Sequence, residues 1–367
     1  MCMIRALAKI GHVDVISFVG GDLSNEKNVD VLYSQDVAMA TREKTGRFDK
    51  FLKLFKGHDP YFIYPENKEK SAIIDDYVRQ NHYDYIVTRY VHYALDCGLL
   101  KYADRLIIDI DDDPKDVILT SLSKVKTLRN KVYTLFYANM IDKMTRNIVR
   151  SVKAAFYSTP SKKYNNATYL PNISAYNKPL QAPDFNRIER KIMIVGKFNY
   201  APNIEGLTHF ITHVFPFVKA QIPNVTLNIV GNVTDDSLHQ LCETTSGINM
   251  LGFVENIVSV YEDCHCAIIP IYQGTGTCVK LIEAMALGRA VVTTPCGIRG
   301  LNSEIKPGEA FLLAHNDKEF AENIVLLLKD DKYNENISKQ ALTQINRYYS
   351  VSQFENCITT RFREFNN

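Results

Sequence analysis

Eight short apolar runs punctuate the chain: VDVISFV (13–19), DYIVTRYV (84–91), RLIIDI (105–110), AAFYST (154–159), KIMIVG (191–196), TLNIVG (226–231), CAIIPI (266–271) and AVVTTP (290–295). Their hydrophobic continuity fits strands covered on both faces. Between most of them lie stretches with helical spacing, such as GLTHFITHVFPFVKAQ and CVKLIEAMALG. Strands alternating with helices predict an α/β protein built on parallel sheets. Residues 161–190 interrupt the pattern: they are polar, proline-punctuated and weakly periodic, as a linker is. The alternation starts afresh at KIMIVG. We therefore expect a first Rossmann-like domain over 1–180, a second over 181–345, and a C-terminal helix over 346–367 packing back towards the first. Two such doubly wound halves would face each other across a cleft at the carboxyl ends of their strands, where ligands of these folds bind. The opening MCMIRALAKIGH reads as a helix, so the first domain is expected to lack its usual opening strand.

Composition narrows the function. With 367 residues, 46% hydrophobic and 23% charged, the chain matches a soluble globular protein of two domains. A net charge of +2 is too small for the positive field of a nucleic-acid binder, so no nucleic-acid partner is expected. The eight cysteines are scattered without a C-x-x-C pair, which suits a reducing compartment. Cys264-His265-Cys266 is too tightly spaced for a zinc knuckle and leads into an apolar strand, so burial explains it. No apolar stretch reaches the roughly 20 residues of a membrane span, and the opening lacks the order of a signal peptide. The expected location is cytoplasmic, with peripheral contact to the inner face of a membrane an open option. Residues 124–153 carry that option, with eight Lys/Arg, one Asp and apolar residues at helical spacing from Val125 to Met140. A basic amphipathic helix can lie on an anionic membrane, and it can equally be a core-packed helix with a solvated basic face.

The chemistry concentrates in GTGTCVKLIEAMALGRAVVTTPCGIRGL, residues 274–301. Gly274 and Gly276 permit positive φ and close backbone approach to a ligand. A helix starting near Thr277 or Cys278 would aim its unpaired N–H groups and positive dipole end at whatever lies over the glycines, favouring a diphosphate. Lys280 and Glu283, three apart, share a helix face. The lysine can supply charge to phosphate, and the carboxylate can accept from a vicinal diol such as a ribose. A plain surface ion pair between the two is the competing reading.

This stretch follows the pattern G-x-G-x-x-x-K-x-x-E-A-M-A-x-G-x-x-V-V-x-T and resembles the retaining glycosyltransferases of the GT-B type, group 1 or family 4. IVGKFNYAPNIEGLTHFITHVFPFV, LNIVGN and INMLGFVENIVSVYEDCHCAIIPI support the resemblance, which covers residues 190–300; the first half matches only through DYIVTRY, LIIDIDDDP and YLPN. The resemblance implies that Glu283 binds the ribose of a nucleotide-diphosphate sugar, that Gly274, Thr275, Gly276, Thr277 and Lys280 hold its diphosphate side, and that Gly252, Phe253 and Val254 meet the base. Thr275 stands where many members carry a glutamate near the donor sugar. Lys197 takes the place of a phosphate-binding arginine, and Pro202 that of a lysine whose charge Lys280 would replace. The family uses the sugar nucleotide as co-substrate and needs no metal or other cofactor.

In the first half, Asp109, Asp111, Asp112 and Asp113 could bind Mg²⁺ through oxygen, but Asp113-Pro114 is explained by a helix start. By the same resemblance, Asp111 falls near the donor sugar, and Arg89 is positioned to point into the cleft. The expected catalytic set is Asp111, Lys197 and Lys280, with Arg89 and Asp111 on the acceptor side. The expected activity is that of a hexosyltransferase acting on a glycan or lipid-linked glycan. An epimerase of the same fold would release product without an acceptor, and a degenerate partner subunit would turn over no donor.

Overall fold

The computed structural model describes residues 2–18, 27–35, 60–120, 122, 125–159, 164, 166–174, 176, 180 and 189–366. Two units emerge from the contacts: Met1–Pro171 with Phe354–Asn367, and Asn172–Gln353.

The described strands of the first unit are β1 (Val13–Ser17), β2 (Val29–Ser34), β3 (Ile86–Arg89), β4 (Leu106–Asp109), β5 (Ala154–Tyr157) and β6 (Ala167–Tyr169). β3 to β6 form a four-stranded parallel sheet in chain order, and β1 pairs in parallel with β2. The helix Leu128–Ser151 lays Ile141, Met144 and Ile148 against Leu106, Ile108, Ile110 and Tyr157. Sequence patterning misses β2 because VDVLYS is half-exposed and carries no continuous apolar run. It also misses β6, which lies inside the stretch read as linker; most of the rest of 161–190 lies outside the described residues. A break at Ser350 separates the helix Asp331–Tyr349 from the last helix, Val351–Asn366. From that last helix, Phe362 and Phe365 meet the Tyr85 ring at 5.2 and 5.7 Å, and the Cys357 thiol donates to the Tyr169 carbonyl at 3.1 Å.

In the second unit, β7 (Arg190–Val195), β8 (Val225–Val230), β9 (Ile248–Gly252), β10 (Cys266–Ile269), β11 (Ala290–Thr293) and β12 (Leu312–Leu313) form one parallel sheet in the order β12-β11-β10-β7-β8-β9. Alternate residues of the inner strands enter two different cores. Ile192, Ile194, Ile268 and Val292 join one, against helices Ala201–His209 and Asp317–Lys329. Met193, Ala267, Ile269 and Val291 join the other, against Val279–Ala286 and Asp331–Tyr349. Both faces are covered, which is why these strands read as unbroken apolar runs. β9 instead alternates between half-buried and exposed positions, as an edge strand does. Ile173, Tyr176 and Leu180 pack on the second core, and the Leu180 N–H donates to the Leu287 carbonyl at 3.1 Å. The contacts therefore divide the chain after Pro171, where patterning divides it after residue 180.

Two local features set the site. The helical run predicted from 206 is a succession of Ala201–His209, a π turn over Phe210–Val214, and Phe215–Gln221. Pro216 explains the turn, since a proline clashes with the carbonyl four residues back in a regular helix. Gly206 is the second feature: a Cβ there would overlap the Pro270 carbonyl, so only glycine lets this helix back onto the segment leaving β10.

Candidate active site

β7, the first strand of its sheet, has β8 on one side and β10 on the other. The connections leaving the carboxyl ends of β7 and β10 therefore diverge, and open parallel sheets bind ligands at such a switch point. The segment after β7 carries Gly196 and Lys197; the segment after β10 is the glycine loop.

In that loop Gly274 has φ 142° and Gly276 φ 73°, a backbone that side chains resist. The helix Val279–Ala286 follows, with no side-chain cap at Cys278. Lys280 folds back from its first turn: Nζ donates to Asn203 Oδ1 at 2.7 Å and would lie 3.2 Å from a Cβ on Gly196. Asn203 is buried, and its Nδ2 donates to the Lys197 carbonyl at 2.8 Å, so one amide ties the ammonium to the β7 connection. Burial lowers the Lys280 pKa, with Cys278 and Glu283 opposing the shift. One turn on, Glu283 accepts from the Tyr261 hydroxyl at 3.2 Å, and Tyr261 is fully buried. Burial raises the Glu283 pKa against the pull of Tyr261 and Lys280. Lys280 and Glu283 are thus each engaged elsewhere, and neither is exposed as a surface ion pair would be.

The other donor-side candidates sit on the same edge of the sheet. Thr275 and Thr277 are half-buried, and the Lys197 side chain is exposed. Gly252 ends β9 with φ 64° and accepts from the Gly231 N–H at 2.7 Å. Phe253 beyond it is 80% exposed, and Val254 packs on the core. β9 lies three strands from β10, roughly 14 Å at the usual strand spacing, so a ligand touching both ends must be extended.

In the first unit the structure brings Arg89 and Asp111 together. Arg89 Nη2 donates to Asp111 Oδ2 at 2.6 Å, the Tyr90 hydroxyl donates to the same oxygen at 3.2 Å, and Arg89 Nε lies 3.5 Å from Asp109 Oδ2. Tyr90 (φ 64°) and Asp111 (φ 57°) both have positive φ, which is costly for non-glycine residues and concentrated at functional sites. Burial pushes Asp109 up to about 6, with Arg89 opposing and Asp111 adding to the rise. Asp113 plays the capping role expected of it: Oδ1 accepts from the Lys115 and Asp116 N–H groups, and Oδ2 from the Tyr164 hydroxyl at 3.0 Å. Cys264, His265 and Cys266 are buried at the start of β10, with His265 Nδ1 accepting from the Lys191 N–H at 3.2 Å.

Residues 189–330 match the family model described as glycosyl transferases group 1. That match lies within the second unit. A protein from Klebsiella pneumoniae, described as an uncharacterized 44.6 kDa protein in the cps region, is 23% identical over 283 residues, 74% of this chain and 70% of its own length. The Campylobacter jejuni N,N'-diacetylbacillosaminyl-diphospho-undecaprenol alpha-1,3-N-acetylgalactosaminyltransferase is 31% identical over 120 residues, 32% of this chain and 30% of that enzyme. Among solved structures, sucrose-phosphate synthase from Thermosynechococcus elongatus superposes with a TM-score of 0.68 at 16% identity, covering 99% of this chain and 91% of that one. TarM gives 0.61 at 15% identity over 81% of this chain, which spans 58% of the length of TarM. The fold is GT-B, with two Rossmann-like units.

Three residues of the second unit are not visible in the sequence pattern: Asn203, Tyr261 and Arg299. Asn203 stands within the quoted NYAPNIEG, but nothing local shows that its amide reaches residue 280, 77 positions away. Tyr261 looks like any core aromatic until its hydroxyl is found on Glu283. Arg299, in CGIRG, has its Nη2 3.1 Å from where a Cβ of Gly274 would be.

Proposed function

We propose that the chain transfers a hexose or related sugar, with retention of anomeric configuration, from a nucleotide-diphosphate sugar to a glycan or lipid-linked glycan in cell-surface polysaccharide synthesis. One observation carries this reading: within the residues that match the group 1 glycosyltransferase model, the glycine loop, Lys280 and Glu283 stand at the switch point of the sheet. Glu283 accepts from the ribose diol. The loop and the uncapped helix start bind the diphosphate, with Lys280 and Lys197 balancing the charge that grows as the C1–O bond breaks. Gly252, Phe253 and Val254 meet the base. The acceptor hydroxyl attacks C1 from the face of the departing diphosphate, whose oxygen takes the hydroxyl proton. Asp111 faces the donor sugar and Arg89 the acceptor. No metal or other cofactor enters this reading.

The surface-glycan context is supported by the relatives: one named for a cps region, one for transfer to a diphospho-undecaprenol-linked sugar, and TarM in a structure with UDP. Peripheral membrane contact belongs to the same proposal. No described helix is long and apolar enough to cross a membrane. The helix Leu128–Ser151 divides in character: its second half buries Ile141, Met144, Ile148 and Val149, while its first half exposes Leu128 (78%), Val132 (58%), Leu135 and Phe136 beside Arg129 and Lys131. That first half is suited to the anionic inner face of a membrane.

The test is a turnover assay of the purified chain with a panel of UDP- and GDP-sugars, with and without lipid-linked glycan acceptors. Acceptor-dependent release of nucleoside diphosphate with an α-linked product from an α-linked donor is the expected result. An altered sugar nucleotide formed without acceptor would replace the reading with epimerisation. No ligand-induced rise in melting temperature with any nucleotide diphosphate would remove it altogether.

A further inference from the structure

The connection after β11, TTPCGIRGL, is fastened to the glycine loop at both ends. The Thr294 hydroxyl donates to the Ile271 carbonyl, and a Cβ on Gly300 would overlap Thr277. From behind, the Tyr349 hydroxyl donates to the Gly300 carbonyl at 3.3 Å and accepts from the Asn302 N–H at 2.7 Å. Between these anchors Arg299 Nε donates to the Cys296 carbonyl at 3.1 Å, which orients the guanidinium. Nη2 then lies 3.1 Å from the Cβ position of Gly274, directly beside the loop's left-handed backbone. Among the described residues Arg299 makes no ion pair, and its only hydrogen bond is the one through Nε, so the fork carries an unbalanced charge.

The other cations do not fill this place. Lys280 is half-buried and bound to Asn203, Lys197 is exposed beyond β7, and Pro202 brings no charge. A guanidinium stays protonated at any working pH and presents two parallel N–H donors to phosphate oxygens, which an ammonium cannot do.

We infer that Arg299 grips the outer phosphate of the nucleotide diphosphate from across the glycine loop, opposite Lys280. This rests on the reading of the loop as a diphosphate site and adds the residue that distinguishes diphosphates from monophosphates. Both phosphates remain with the nucleotide when the sugar leaves, so the same contact stabilises the leaving group.

The experiment titrates UDP, GDP, UMP and GMP into the wild type, Arg299→Ala and Arg299→Lys, with the free proteins' melting temperatures as the folding control. The wild type should prefer one diphosphate over its monophosphate. Arg299→Ala should lose about ten- to a hundredfold in diphosphate affinity, the range for a hydrogen bond to a charged group, and much less for the monophosphate. Arg299→Lys should recover part of the loss, and it carries the test if the alanine variant melts early. Unchanged diphosphate affinity in both variants, or equal losses for mono- and diphosphate, would overturn the assignment of Arg299 alone. A wild type that binds no nucleotide diphosphate would sink both this assignment and the function proposed above.

Discussion

Replacing Glu283 by glutamine separates what this carboxylate does for the ligand from what it costs the free protein. Glutamine keeps an oxygen for the Tyr261 hydroxyl, which donates to Oε1 at 3.2 Å, and leaves the packing of the helix Val279–Ala286 unchanged. It removes a charge whose burial raises the pKa. For an acid raised in the folded state, protonation favours the fold, so its burden is greatest above the folded pKa and is relieved as pH falls towards the unfolded value. Free Glu283→Gln should therefore be at least as stable as wild type at pH 7, and any advantage should shrink on acidification. Nucleotide binding should move the other way. Losing one charge-assisted bond to a ribose hydroxyl weakens affinity about tenfold, at the low end of the range for such bonds. At a ligand concentration of about 100 times the wild-type Kd, stabilisation falls from about 2.7 to about 1.4 kcal/mol. With about 2–4 °C per kcal/mol in a unit of this size, the ligand-induced rise in melting temperature should drop by roughly half. Thermal melts of both proteins with UDP and GDP at pH 5, 6 and 7 make the measurement. An undiminished shift with every nucleotide, or a free variant more than about 1 kcal/mol less stable than wild type at pH 7, would refute the reasoning.

Other outcomes follow from named contacts. Gly206→Ala places a methyl group on the Pro270 carbonyl and should destabilise by about 3 kcal/mol or more, read by urea unfolding, with loss of donor turnover. Asn203→Ala removes the acceptor from a half-buried ammonium and should cost about 1–3 kcal/mol while lowering kcat/KM for the donor, since Lys280 loses its tether. Asp109, pushed up to about 6 from 3.8, makes the fold more stable as pH falls from about 6 towards about 4. Asp109→Asn should flatten that part of the stability profile by about 3 kcal/mol. Replacing Leu128, Val132 and Phe136 by serine should abolish flotation with vesicles rich in anionic lipid and leave the melting temperature unchanged, because these side chains are exposed.

Legibility differed between the two units. In the second, buried parallel strands are short continuous apolar runs, and burial on both faces is what makes them so; β7, β8, β10 and β11 were all visible for that reason. In the first, β2 is half-exposed and β6 is three residues long, so neither breaks the polar background of its surroundings. Asp113 and the cysteine–histidine triplet were readable because a helix cap and a strand start are local events.

Amino-acid order alone determined the α/β class and the glycine loop with its lysine and glutamate, since each depends on periodicity or spacing within a few residues. The partners of those residues came only from tertiary structure. Asn203 reaches Lys280 across 77 positions and Tyr261 reaches Glu283 across 22, through strands that the sheet reorders. The strand order β12-β11-β10-β7-β8-β9 places the segments after β7, β10 and β11 side by side, and with them Gly196, Gly274 and Arg299. Hydrogen bonds and charge act over a few ångströms of space rather than along the chain, so the pattern of a sequence marks which residues could bind while the packing of the sheet decides which of them meet.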